Sequence, residues 1–245
     1  MTADILRIAR GALFLEDEIL LEFKRHRDVF ARGLLIFVTV SLIVGLVNSG
    51  IALGRQLTQP PLEVQQKRFE EGLSQALAGI PITSPEAEQA LNTSIEYARA
   101  AWSIGAKIAQ LPTPLPEPAG AIFRALARFL SAPFGRMAGW MFYALIVLLA
   151  AKILGGRATV QEMLGCTALY IVPHLINVVT FIPCIGAVLW ITSTIWGVII
   201  YIKAVAIANE FDTGRALLAV ALPILIVLFL ALLALVILLI VSLSQ

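Results

Sequence analysis

Residues 160–211 read VQEMLGCTALYIVPHLINVVTFIPCIGAVLWITSTIWGVIIYIKAVAIANEF and carry no charged side chain between Glu162 and Lys203. One interruption falls near the middle, at Pro183-Cys184-Ile185-Gly186. About forty uncharged residues in a single helix would reach roughly 60 Å, twice the thickness of a hydrocarbon core. The stretch is therefore expected to cross a membrane twice, with a tight turn at Pro183.

The bulk numbers fit that setting. Of 245 residues, 59% are hydrophobic and 14% charged, and mean hydropathy is +0.90. Soluble domains carry about 25% charged residues. The apolar excess here sits in long blocks, as membrane proteins require. A net charge of +2 gives no support to nucleic acid as a partner. Cys166 and Cys184 both lie in apolar segments, about 27 Å apart along a helix, too far for a disulfide.

Before the first span, Ile5, Ile8, Ala9, Ala12, Leu15, Ile19 and Phe23 recur at three- or four-residue steps, which predicts an amphipathic helix. Acidic Glu16, Asp17 and Glu18 precede basic Lys24, Arg25, His26 and Arg27, an order that suits the helix dipole. Lys24, Arg25, Arg27 and Arg32 are candidate contacts for anionic lipid headgroups. The plain alternative is a helix that only rests on the interface. Residues 33–54 form the first expected span. Ser41, Gly45 and Ser49 fall four apart on one face, a spacing that admits a close neighbouring helix, within the bundle or in a second molecule. Asn48 flanks that face.

Residues 55–136 form the one large polar region. Leu62, Phe69, Leu73, Leu77 and Ile80 make one apolar stripe. Ala87, Leu91, Ile95, Ala98, Trp102 and Ala109 make another. Pro81-Ile82-Thr83-Ser84-Pro85-Glu86 lies between, with Ser84 as N-cap and Pro85 at the first helical position. A helical hairpin packed stripe to stripe is expected. Pro112, Pro114, Pro116 and Pro118 read as an extended spacer. Ala121 to Leu130 reads as an amphipathic piece on the membrane surface. Later spans are expected at about 137–154, 163–182, 184–202 and 216–243, and the last must tilt, kink at Pro223 or protrude. Basic residues in the short connections place the N-terminus in the cytoplasm and the C-terminus outside.

Several local stretches resemble the Yip family, the Ypt/Rab-interacting-protein type of five-span membrane domain, in its prokaryotic form. They are Lys152-Ile-Leu-Gly-Gly-Arg-Ala-Thr-Val-Gln-Glu-Met-Leu, Ile171-Val-Pro-His-Leu-Ile, Phe181-Ile-Pro-Cys-Ile-Gly186, Ile195-Trp196, Val205-Ala206, Thr213-Gly-Arg-Ala-Leu217 and Pro223. The likeness covers about residues 33–230, with the polar region as an insertion. It implies the fold and residence in a membrane. Eukaryotic members of this type look like adaptors for small GTPases, through an Asp-Leu-Tyr-Gly-Pro motif. That motif is absent here, so GTPase binding does not carry over.

No phosphate loop, dinucleotide fingerprint or nucleophile elbow occurs. His26 and His174 are the two histidines, and neither has metal-ligand spacing. One polar cluster lies inside the apolar runs. Tyr170, His174 and Asn177 share a helical face, Pro173 leaves the Leu169 carbonyl without its donor, and a turn at Pro183 brings His174 opposite Ser193 and Thr194. A buried imidazole beside hydroxyls could relay protons or bind an ion or polar solute, or could simply tie two helices together.

The expectation is an all-α, polytopic membrane protein with five transmembrane helices. Residues 1–32 form a cytoplasmic amphipathic segment, 55–136 an extracytoplasmic helical hairpin insertion, and 137–245 a four-helix transmembrane core. It is expected to be no enzyme and to use no cofactor or metal. Its partners are the lipid bilayer and other membrane proteins or itself, in a prokaryotic plasma membrane. The leading function is a scaffold or adaptor. The alternative is a small transporter or channel subunit with its polar site at His174 and Asn177.

Overall fold

In hydrocarbon, every backbone polar group must find its partner within the chain, and a helix does so inside one segment. The apolar runs accordingly fold as helices in the computed structural model, which describes residues 2–78, 84–111, 115–182 and 185–243. Ile80, Pro81-Ile82-Thr83, Pro112, Pro114 and the Pro183-Cys184 turn lie outside the described residues. The helices are α1 (Thr2–Leu13), α2 (Asp17–Arg25), α3 (Val29–Leu57), α4 (Leu62–Ala78), α5 (Pro85–Ala109) and α6 (Glu117–Ile153). Then come α7 (Val160–Thr167), a 3-10 helix (Ala168–Val179), α8 (Ile185–Asn209) and α9 (Thr213–Leu243). No strand occurs among the described residues. Five helical segments are long and apolar enough to cross a membrane: Val29–Leu57, Pro118–Ile153, Val160–Val179, Ile185–Asn209 and Thr213–Leu238.

The chain divides into two units, residues 52–125 and the remainder. In the smaller unit, Ser84 caps α5, its side chain accepting from the Ala87 amide at 3.2 Å, and Pro85 follows in the first turn. Phe69 stacks on Trp102 with ring centroids 5.0 Å apart, and Arg99 pairs with Glu70 at 3.1 Å. α4 buries no residue. α6 differs from expectation: Ala121 to Leu130 is not a separate surface piece but the first part of one continuous helix running to Ile153. The helix runs on through Pro133, which removes one backbone donor without ending it.

The larger unit holds the core. Phe37 of α3 is fully buried and stacks on Trp140 of α6 at 4.7 Å. Trp140 Nε1 donates to Thr167 Oγ1 at 3.1 Å, and the Tyr143 hydroxyl donates to the Val220 carbonyl at 2.8 Å. Both polar tips thus find partners away from water, as their aromatic bodies demand. α3 and α7 cross where Gly33 meets Gly165. A Cβ on Gly33 would strike the Gly165 carbonyl, and one on Gly165 would lie 2.7 Å from the Val29 carbonyl carbon. Glycine at both positions is what lets two backbones touch. Ser41, Gly45 and Ser49 are buried too, with Gly45 facing Phe129 of α6, so this face is occupied within the chain.

The third span is half α and half 3-10. Thr159 and Glu162 start it with a reciprocal capping box: Glu162 N donates to Thr159 Oγ1 at 3.2 Å, and Thr159 N to Glu162 Oε2 at 2.7 Å. From Ala168 the helix tightens to 3-10 through Pro173. At 2.0 Å per residue this part rises about 24 Å, where an α-helix would rise about 18 Å. Together with α7, the twenty-residue segment is thereby long enough to cross a hydrocarbon core of about 30 Å.

α1 and α2 do not lie free on the interface. Ile8, Ala12, Leu20 and Phe23 are buried in the same core as the spans. The Trp196 indole donates to the Leu13 carbonyl at 2.9 Å, and Lys203 pairs with Asp17 at 2.6 Å. Lys24 pairs with Glu210 at 3.0 Å. The chain turns between α1 and α2 at Leu15, with φ of 57°.

A polar cavity beside the third span

The 3-10 geometry decides how the polar side chains stand. Its three residues per turn place His174 and Asn177 in one row and set Tyr170 aside. The α-helical face expected from sequence is therefore not the reason the three meet. Tyr170 reaches across instead: its ring stands edge-on to His174 at 5.7 Å and to Tyr201 at 6.0 Å. The register against α8 also differs by about one turn. Asn177, not His174, lies opposite Ser193, whose hydroxyl donates to Asn177 Oδ1 at 2.9 Å. Ser193 Oγ also lies 2.9 Å from the Trp190 carbonyl. His174 packs on Gly197, where an added Cβ would come within 2.9 Å of its Cε1. Thr194 spends its hydroxyl on the Trp190 carbonyl at 2.8 Å.

These side chains edge a cavity of about 380 Å³. Tyr170, His174, Asn177 and Thr194 line it, joined by Asn48, Thr180 and Arg136. Ser193 is buried behind Asn177 and does not reach the cavity. Arg136 and Asn48 were not among the expected cluster. From sequence Arg136 marks the end of a span, because the charge-free run starts at Met137. α6 begins well before it, so Arg136 stands in mid-helix. An arginine inside a helix that continues on both sides, with no acid near, was the available signal. Among the described residues, Arg136 has no ion-pair partner. His174 Nδ1 is buried without a hydrogen-bond partner, as is the Tyr201 hydroxyl. A set of donors and one fixed positive charge, with no carboxylate on the wall, suits an anion and repels a cation.

The basic residues before the first span separate into two groups. Lys24 is turned inward, its side chain 11% exposed, and is held by Glu210. Arg32 pairs with Asp28 at 2.9 Å on its own helix. Arg25 and Arg27 remain exposed. The Lys24 hydrogen bond holds the Glu210 carboxyl below the usual carboxylate range, and Arg32 does the same for Asp28. Lys24–Glu210, Arg157–Glu210 at 3.7 Å and Lys203–Asp17 put α2 at the same end of the bundle as the turns before α7 and after α8.

A family model described as the Yip1 domain fits residues 18–236, from α2 through most of α9. No curated protein and no solved structure matches the chain.

Proposed function

The chain belongs to the Yip1 domain family, and from that premise we propose that this multi-pass membrane protein is a non-catalytic scaffold working through the sides of its helices. The observation behind this is α9. It is the most apolar of the five candidate spans, and 11% of its best window is buried within the chain. Ile224, Leu228, Leu232 and Leu235 are all exposed along it. Such a helix offers its length to neighbours in the bilayer, where association depends on packing rather than on exclusion of water. Photo-crosslinking side chains at Leu228 and Leu232, in native membranes, should give a reproducible protein adduct. Adducts to lipid alone would overturn the scaffold.

We place the end carrying α2, Arg157 and Arg215 in the cytoplasm of a prokaryotic plasma membrane, because short connections rich in Lys and Arg stay inside. An impermeant maleimide added to intact cells should then modify Cys184. Modification only after permeabilisation would reverse the orientation.

The second reading, a transporter or channel subunit, draws on the cavity beside His174. It requires His174→Ala to abolish flux of a solute in sealed vesicles at unchanged stability. Lost stability with no effect on flux would leave His174 a packing residue.

A further inference from the structure

We propose that the polar cavity and an apolar chamber adjoining it hold one phosphate-headed lipid, with the head beside Arg136 and an acyl chain in the chamber. The chamber has about 360 Å³ and shares Tyr170, His174 and Thr194 with the polar cavity. Its other walls include Tyr143, Val198, Tyr201, Val220 and Ile224. Both are open at the side of the bundle, with Val198 and Ile224 exposed at the rim of the chamber, so an acyl chain can enter from the bilayer.

The head end is set by the donors left over. Asn177 gives its oxygen to Ser193, which leaves its amide N–H groups for a ligand. The hydroxyls of Thr180 and Thr194 are spent on the Asn177 and Trp190 carbonyls. The guanidinium of Arg136 supplies a planar fork suited to phosphate oxygens. No acidic side chain lines the cavity to compete for it. Arg136 and Asn48 are both exposed and mark the side from which a head could enter.

Depth agrees with a headgroup. Trp190 lies about 8 Å from the start of α8, and Thr180 follows the last turn of the 3-10 helix. This is the end of the bundle away from Lys203 and Glu210. A free phosphate would satisfy Arg136 but leave the chamber empty. An amphiphile matches both.

The test uses the full chain purified in a non-ionic detergent, with bound molecules counted by native mass spectrometry. The probes are phosphatidic acid, phosphatidylcholine with the same chains, and inorganic phosphate. Phosphatidic acid should be retained at least about tenfold better than phosphatidylcholine, since each lost charge-assisted contact is worth about that factor. Arg136→Gln should erase the preference, and Arg136→Lys, which keeps the charge but not the fork, should retain only part of it. Gly139→Leu adds a side chain where an added Cβ meets nothing within 4 Å, on the chamber wall. It should lower retention of both lipids at unchanged melting temperature. A preference that survives Arg136→Gln overturns the proposal. So does displacement of lipid by inorganic phosphate with no effect of Gly139→Leu, which would mark a site for free anions. Crosslinks from α9 would be unaffected by any of these results, so the scaffold stands or falls separately.

Discussion

In the most apolar eighteen residues of Val160–Val179 the mean hydropathy is 1.4 and 61% of the residues are buried within the protein, whereas in those of Thr213–Leu238 the mean is 3.3 and 11% are buried. In water the order would be reversed, with the most apolar helix innermost. Here the surroundings are hydrocarbon, and a leucine gains nothing by leaving them. The inside of the bundle goes to the segment that must meet others closely. The third span has Gly165 for a backbone crossing, Thr167 for a tryptophan and Asn177 for a serine. α9 has no polar side chain between Ala216 and Val241 and touches the core near its start, through Ala216, Ala219 and Val220.

The sharpest way to break this contrast is Gly165→Leu. Its branch would enter the Val29 backbone, which has no flexible side chain to give way. Overpacking costs about 1–3 kcal/mol where neighbours can shift, and more is expected here, seen as loss of monodisperse protein in detergent. Next comes Leu169→Ala, at a fully buried position of the third span, expected to cost about 2–5 kcal/mol, against almost nothing for Leu228→Ala on α9. Thermal unfolding in one detergent compares them directly, and equal losses would mean that α9 is packed against protein. Asn177→Ala should cost about 1 kcal/mol by the same measurement, because Ser193 keeps the Trp190 carbonyl as a partner.

The smallest effect concerns pH. The Glu210 carboxyl is held below its ordinary value by Lys24, so its contribution is complete at neutral pH. It is lost as pH falls through the depressed folded value. Amide exchange at Leu20 and Phe23, corrected for intrinsic rates, should therefore quicken in acid below the usual carboxylate range. Lys24→Gln should remove that pH dependence.

What could be read from sequence divides along physical lines. Five apolar helices follow from charge-free length, and the structure has them. Lys152 to Leu164 is one of the stretches that carry the Yip resemblance, and the structure shows what those residues do. Gly155 takes φ of 89°, Thr159 and Glu162 cap α7, and the Arg157 amide reaches the Asn209 carbonyl at 3.4 Å. They form a junction, which is why they report a fold and name no ligand. The 3-10 stretch was not legible: its polar marks, Tyr170, His174 and Asn177, are spaced four and then three apart, which fits a period of 3.6 as well as one of three. Small residues four apart drew notice to Ser41, Gly45 and Ser49, while Gly33, followed at that step by Phe37, makes the backbone crossing. Lys24 reads as a headgroup contact because its true partner, Glu210, is 186 positions away and leaves no local trace.

That separation has a consequence for biosynthesis. α1 and α2 leave the ribosome long before α7 and α8 exist to receive them. At about 5–20 residues per second, roughly 10 to 40 seconds pass before Glu210 follows Lys24. Throughout that interval Ile8, Leu20 and Phe23 have no protein to cover them. Their amphipathic arrangement lets the nascent segment park on the bilayer surface, so the membrane serves as its holding chaperone until the last helices arrive.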